Sequence, residues 1–266
     1  MSRRERSVPW WAIAIAVVAV TLFALPLLGL LQRAAWSTLG SDLADPQVRA
    51  ALRLSIVCSL WATFLALVLG VPLAWVLARA AFPGRALVRA LVLLPMVLPP
   101  VVGGVALLGA FSRRGLVGQH LYDWFGIQLT FSTAGAVLAE TFVAMPFLVI
   151  TVEAALRNLD RRYEDAAATL GASRLTVFRR VMVPLIGPSI VAGAALAWAR
   201  ALGEFGATIT FAGNVQGRTQ TMPLAVYLFL ESRPERAIAL SLLLLAISVV
   251  VLALMRDRWL PGTAGR

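Results

Sequence analysis

Residues 10–31 read WWAIAIAVVAVTLFALPLLGLL, 22 positions without a charge. A helix of about 20 apolar residues crosses the hydrocarbon core of a bilayer, so this stretch predicts a transmembrane span. Five further runs of the same kind follow: Leu52–Leu77, Leu87–Phe111, Thr133–Leu156, Leu185–Phe211 and Ala237–Met255. Backbone polar groups in lipid must be satisfied within the segment, which leaves helices or closed barrels. Runs of this length predict an all-α, polytopic integral membrane protein with about six transmembrane helices. Arg3, Arg4 and Arg6 precede the first run as they would a signal peptide. Its apolar core is too long for one, and no small-x-small cleavage pattern ends it, so it reads as a retained signal anchor.

Composition agrees. The 266 residues are 60% hydrophobic, with a mean hydropathy of +0.83. Only 14% are charged, against about a quarter in soluble domains. All 24 basic residues are arginine, and the net charge is +11. Such a balance can serve nucleic acid, but here the arginines lie between apolar runs, so lipid and not nucleic acid is the expected contact. Cys58 and His120 are single and far apart in sequence. That excludes an intrachain disulfide and a multi-cysteine metal site, and it leaves no Cys-His nucleophile pair. No metal, cofactor or catalytic residue is expected on this chain.

Arginine placement orients the spans. One side holds Arg3, Arg4, Arg6, Arg79, Arg85, Arg89, Arg157, Arg161, Arg162, Arg174, Arg179, Arg180, Arg256, Arg258 and Arg266. The other holds Arg33, Arg49, Arg53, Arg113, Arg114, Arg218, Arg233 and Arg236, about half as many. Both termini are therefore expected in the cytoplasm of a bacterium, below its plasma membrane. Residues 212–236 read as the most polar outside segment. Pro95, Pro99, Pro100, Gly103 and Gly104 interrupt the third run, Gly70 and Pro72 the second and Pro146 the fourth. Each is either a packing kink or a gating break, and the Pro99-Pro100 pair is the best candidate for a gate.

The loop 157–184 is long, charged and cytoplasmic on this reading. Within it Tyr163–Gly171 predicts a short helix, with Glu164 and Asp165 at its positive N-terminal end and Gly171 as its C-cap. Ser173–Val181 predicts a second helix capped by Ser173, with Pro184 forcing a stop. Tyr163, Ala166, Ala167 and Leu170 form one small apolar face. Periodicity leaves open whether that face meets lipid headgroups or another protein.

The string Asp165-Ala166-Ala167, three residues, Gly171, nine residues, Val181-Met182-Val183-Pro184 resembles the E-A-A-x3-G-x9-I-x-L-P motif of ABC importer permeases. Asp165, Val181 and Val183 depart from it conservatively. The resemblance implies a type-1 transmembrane domain over residues 47–255, preceded by residues 1–46 and followed by a tail, 256–266. It also implies that Glu164, Asp165, Ala166, Ala167, Leu170, Gly171, Val183 and Pro184 form a coupling helix that docks on an ATPase subunit.

A second stretch, Ala199-Arg200-Ala201-Leu202-Gly203-Glu204-Phe205-Gly206-Ala207-Thr208, resembles oxyanion importers. The continuation through Gly213-Asn214 and Thr221-Met222-Pro223, together with Leu94–Gly103, is most similar to molybdate permeases, with sulfate or thiosulfate permeases the alternative. Tungstate is not separable from molybdate on this ground. The family implies a second copy of the chain, two ATPase subunits and an extracytoplasmic molybdate-binding protein. ATP belongs to the partner, since the chain has no G-x-x-x-x-G-K-[ST] string.

Read physically, Arg200, Glu204 and Thr208 recur every four residues and so share one face of an unbroken helix. Buried charges in a span face protein or water. Glu204 is expected to pair with Arg200, and the alternative is that Arg200 meets the passing anion. Gly203 and Gly206 are expected to permit close helix packing. Glu153 is expected at the cytoplasmic end, solvated or facing the loop, and no partner for Glu140 is legible. Pro99, Pro100, Gly103, Arg200, Glu204, Thr208 and Asn214 are the candidate path or gate residues. A secondary transporter or a membrane enzyme is disfavoured, because neither an internal repeat nor a further ionisable cluster is apparent.

Overall fold

The computed structural model describes residues 9–259, with side chains described to residue 253. The arginines of the two tails lie outside those side chains. Every regular element among the described residues is helical.

Helix α1, Trp10–Gln32, buries no residue. A short α2, Leu39–Ala44, leads into α3, Pro46–Arg79. Asp45 caps α3 by accepting from the Gln47 amide, and Pro46 starts it, both favourable there. At 34 residues, α3 is about 51 Å long, against a hydrocarbon core of about 30 Å. It therefore extends past the lipid at its ends. Pro72 stays inside α3, as Pro95 and Pro146 do in their helices.

The third predicted span is two helices, α4 (Arg85–Val97) and α5 (Pro100–Phe111). Pro99 drives Leu98 into extended backbone, and Pro100 does the same to Pro99. A surface helix α6, Gly118–Phe125, precedes α7, Thr133–Asn158. Then come α8 (Arg162–Thr169), α9 (Arg174–Val177), a π turn (Phe178–Met182) and α10 (Val183–Leu185). Pro184 does not stop this segment. The wider π turn before it makes room for a ring that would clash in a regular helix, and the chain turns by 75° only after Leu185.

The fifth predicted span is likewise broken, into α11 (Gly187–Leu202) and α12 (Gly206–Phe211). Residues 212–236 correct the expectation of a polar outside loop. They contain α13, Met222–Ser232, followed by α14, Pro234–Trp259. Met222, Ala225 and Phe229 lie on one face of α13, buried against Val48 and Ala51 of α3 and Ala237 and Leu240 of α14. Among the described residues, four helices (α1, α3, α7 and α14) are long and apolar enough to cross a membrane singly. The other two predicted spans are the interrupted ones.

The core lies where α3, α7 and α11 meet. Ala62, Ala66 and Ala74 of α3, Ala144 of α7 and Ala197 and Ala201 of α11 are fully buried there, with Leu148, Val152 and Leu156 filling between them. Hydrophobicity does not drive helices together in lipid, so small side chains that allow close approach do. Trp198 also reaches across, its indole N–H donating to Ser59 Oγ at 2.9 Å.

Candidate functional site

The segment 160–186 lies at the arginine-rich end of α3 and α7. Gly171 has φ +80°, a conformation open to glycine. The Ala172 amide donates to the Ala167 carbonyl at 3.1 Å and the Gly171 amide to Ala168 at 2.9 Å. These paired bonds close α8 in a Schellman cap, so the expected C-cap role of Gly171 is observed. Ser173 Oγ accepts from the Thr176 amide at 3.3 Å, as its expected N-cap role requires.

The apolar residues of α8 lack cover. Leu170 is 89% exposed and Tyr163 53%. Asp165 and Ala166 are exposed as well, while Ala167 is half-buried against the core. Glu164 behaves differently from Asp165. Its Oε1 lies 2.6 Å from Arg79 NH2 at the end of α3. This is a charge contact and not an aligned hydrogen bond, since neither Glu164 Oε1 nor Arg79 Nε completes one. Arg79 also donates to the Leu159 carbonyl at 3.1 Å. One turn back along α3, Trp75 stacks on Phe178 with ring centroids 4.3 Å apart. The segment is thus held to α3 at two points, i and i+4 on one helix face. Val183 and Pro184 stand at the other end of it, half-buried and exposed respectively.

Glu153 is not solvated. It is buried on α7, accepts from Arg89 Nε at 3.2 Å, and pairs with Arg157 at 3.2 Å. This joins α4 to α7 next to the segment 160–186.

The two broken spans meet each other. Glu204 sits in the gap between α11 and α12, 1% exposed, with Oε2 at 2.5 Å from Arg200 NH2. Its Oε1 accepts from the Ala207 amide at 2.8 Å, so one carboxylate both neutralises Arg200 and caps α12. The face-sharing expectation for Thr208 fails, because the break at Gly203–Phe205 puts Thr208 on the separate helix α12. Thr208 is fully buried, and its Oγ1 has no partner. Glu140 on α7 is also buried, with Oε2 unpartnered.

Gly206 is the packing glycine: a methyl there would come within 2.6 Å of Pro100 Cβ. A methyl on Gly104 would lie 2.5 Å from Thr210 Cβ and 3.0 Å from the Ala207 carbonyl. Gly203 does not fit the expectation, since it is exposed and a methyl there would meet only its own helix. Gly103 is buried against Phe142, and Pro99 is exposed at the break. Asn214 lies apart from this contact. It accepts from Gln220 at 3.0 Å and donates to the Leu224 carbonyl at 3.4 Å, holding the loop before α13.

Sequence reasoning missed Arg79, Trp75 and Arg89 as parts of this machinery. Their signal was present only as one arginine just past the second run, one near the start of the third and an aromatic within the second. Nothing local indicated which distant residue each would meet.

Residues 66–257 match the family described as Binding-protein-dependent transport system inner membrane component. The Molybdenum transport system permease protein ModB of Mycobacterium tuberculosis is 46% identical over 97% of each chain. The ModB of Escherichia coli is 44% identical, covering 82% of this chain and 95% of its own. The Sulfate transport system permease protein CysT of Salmonella typhimurium is 39% identical over 84% of this chain and 80% of its own. Among solved structures, a bacterial ABC transporter that imports the acidic polysaccharide alginate aligns over 96% of both chains with a TM-score of 0.75. At 17% identity that likeness concerns the fold.

Proposed function

The chain belongs to the family of binding-protein-dependent transport system inner membrane components, and on that premise we propose that it is the membrane-spanning permease of an ATP-driven importer of molybdate or tungstate. Relatives named for molybdenum transport, at 43–46% identity, support this cargo over sulfate. Their sulfate-transport counterparts stand at 38–39%.

The observation that carries the mechanism is the exposed apolar face of Tyr163 and Leu170 at the two ends of α8, on a segment tied to α3 through Arg79–Glu164 and Trp75–Phe178. We assign Tyr163, Asp165, Ala166, Ala167, Leu170 and Gly171 to docking on a separate ATPase subunit. We assign Glu164 to the tie that passes the motor's movement to α3. The contact of Pro100 and Gly104 with Gly206 and Thr210 is the proposed gate, with Arg200–Glu204 as its structural pair. Two copies of the chain, two ATPases and an external binding protein complete the importer. Both termini and the 157–184 loop face the cytoplasm, where the motor's ATP is.

The test is reconstitution with an ATPase and a molybdate-binding protein. Labelled molybdate is expected to accumulate only with ATP, with tungstate competing more strongly than sulfate. Leu170→Asp, Gly171→Asp and Ala167→Glu should each abolish uptake while the chain still inserts in the membrane. Normal uptake by all three would sink the docking assignment, and uptake without the ATPase would sink the importer reading.

A further inference from the structure

The ends of α3 and α7 and the start of α4 converge on a cavity of about 600 Å³ lined by Arg79, Arg85, Arg89, Arg157 and Arg161. Of these five arginines three pair with carboxylates beside the cavity: Arg89 and Arg157 with Glu153, and Arg79 with Glu164. Among the described residues neither Arg85 nor Arg161 has a carboxylate within 4.0 Å. The Nε of Arg79 is buried with no hydrogen-bond partner.

The backbone adds to the imbalance. Helix α4 starts after Gly84 with no side-chain cap and no acidic residue in its first turn, and it carries Arg85 there instead. A helix N-terminus favours negative charge and disfavours cations. Orientation in a membrane accounts for arginines on this side. It does not account for their convergence around one concavity with too few acids.

We propose that this cavity binds a tetrahedral oxyanion group, which the planar forks of arginine hold by paired N–H donors. Two sources share that chemistry: a free oxyanion of the transported class, and the phosphate of an anionic lipid headgroup. Placing the site on the cytoplasmic side rests on the orientation proposed above. The binding itself does not rest on that orientation.

The experiment uses the full chain in nanodiscs, without ATPase or nucleotide, so that both faces are open and motor docking is irrelevant. Equilibrium dialysis against labelled sulfate and against molybdate is run in pure phosphatidylcholine and in discs containing phosphatidylglycerol. Saturable binding is expected in phosphatidylcholine. Arg85→Gln with Arg161→Gln should weaken it at least about tenfold, the scale of lost hydrogen bonds to a charged group. Neither arginine pairs with a carboxylate, so the double variant leaves no buried acid unpaired. Arg85→Lys with Arg161→Lys should retain part of the binding. Displacement of the ion by phosphatidylglycerol in the parent but not in the Gln variant would assign the site to lipid, and indifference to phosphatidylglycerol would assign it to the free ion. Equal binding by parent and Gln variant overturns the proposal. So does the absence of both ion binding and phosphatidylglycerol retention. Sidedness is read separately, by labelling Leu170→Cys with an impermeant maleimide.

Discussion

Glu164 and Asp165 are adjacent acids in the motif, yet their surroundings assign them different tasks. Glu164 reaches back to Arg79, while Asp165 stays on the exposed side. The side chains of the Arg79–Glu164 pair are only 14% and 22% exposed, so the desolvation of both charges offsets much of their attraction and the pair adds little net stability. Its importance would be mechanical. Glu164→Gln is expected to leave the fold and ATPase binding intact while lowering ATP-driven uptake several-fold, about the effect of a lost charge pair on a two-state step. Uptake and ATPase co-purification measured on one preparation check this. Combining Glu164→Gln with Arg79→Gln should cost little more than either alone, because the two residues act as one contact. The motif string made this region legible. The identity of the tie was not, since Arg79 is 85 positions away and nothing near it specifies a partner.

At the scale of elements, two apolar runs that read as single spans are each two helices, and their breaks touch. The causes are local. Pro99-Pro100 removes amide donors and enforces extended backbone. Gly203 and Glu204 end α11, where a carboxylate serves better as a cap for α12 than within a helix. The proline break was legible in the sequence; the fifth-span break was not, since Leu202–Thr208 keeps an acceptable helical pattern. Gly206→Val is expected to force Pro100 away, because a single methyl already approaches to 2.6 Å. Overpacking of this kind costs about 1–3 kcal/mol. Uptake should fall at least about tenfold, with the midpoint of thermal unfolding lowered. Gly203→Ala, at an exposed site with open space, should leave both unchanged. Parallel uptake and melting curves for the two variants test the asymmetry.

Across the whole molecule, Arg236 at the start of α14 closes the end opposite the segment 160–186. It pairs with Asp45 at 2.6 Å and with Asp42 at 3.2 Å. The Gln47 amide, aided by Arg236 and against some burial, holds the Asp45 carboxyl below its ordinary value of 3.8. A depressed carboxylate stabilises the fold fully above its ordinary value, and that stabilisation is lost as pH falls below this value and through the lowered folded one. The purified chain should therefore lose thermal stability as pH drops from about 5 to 3. Asp45→Asn should be less stable at neutral pH and flatter across that range. Differential scanning fluorimetry in detergent reads both.

The sequence by itself determined the class of this protein. Apolar runs of bilayer length, arginines gathered mostly in the gaps and an E-A-A-like string are local properties, and a membrane leaves a chain few alternatives to helices. Spacing made the Arg200–Glu204 pair legible, but the tertiary structure alone decided which polar groups far apart in sequence meet. Glu153 found Arg89, Glu164 found Arg79, and five guanidiniums came to line one cavity. It also turned the segment after Asn214 into a packed helix where polarity had suggested a loop. The physical reason is common to these cases. A buried charge or an apolar face of three residues costs free energy until something distant satisfies it, and the position of that partner is set by how α3, α7 and α11 pack their alanines.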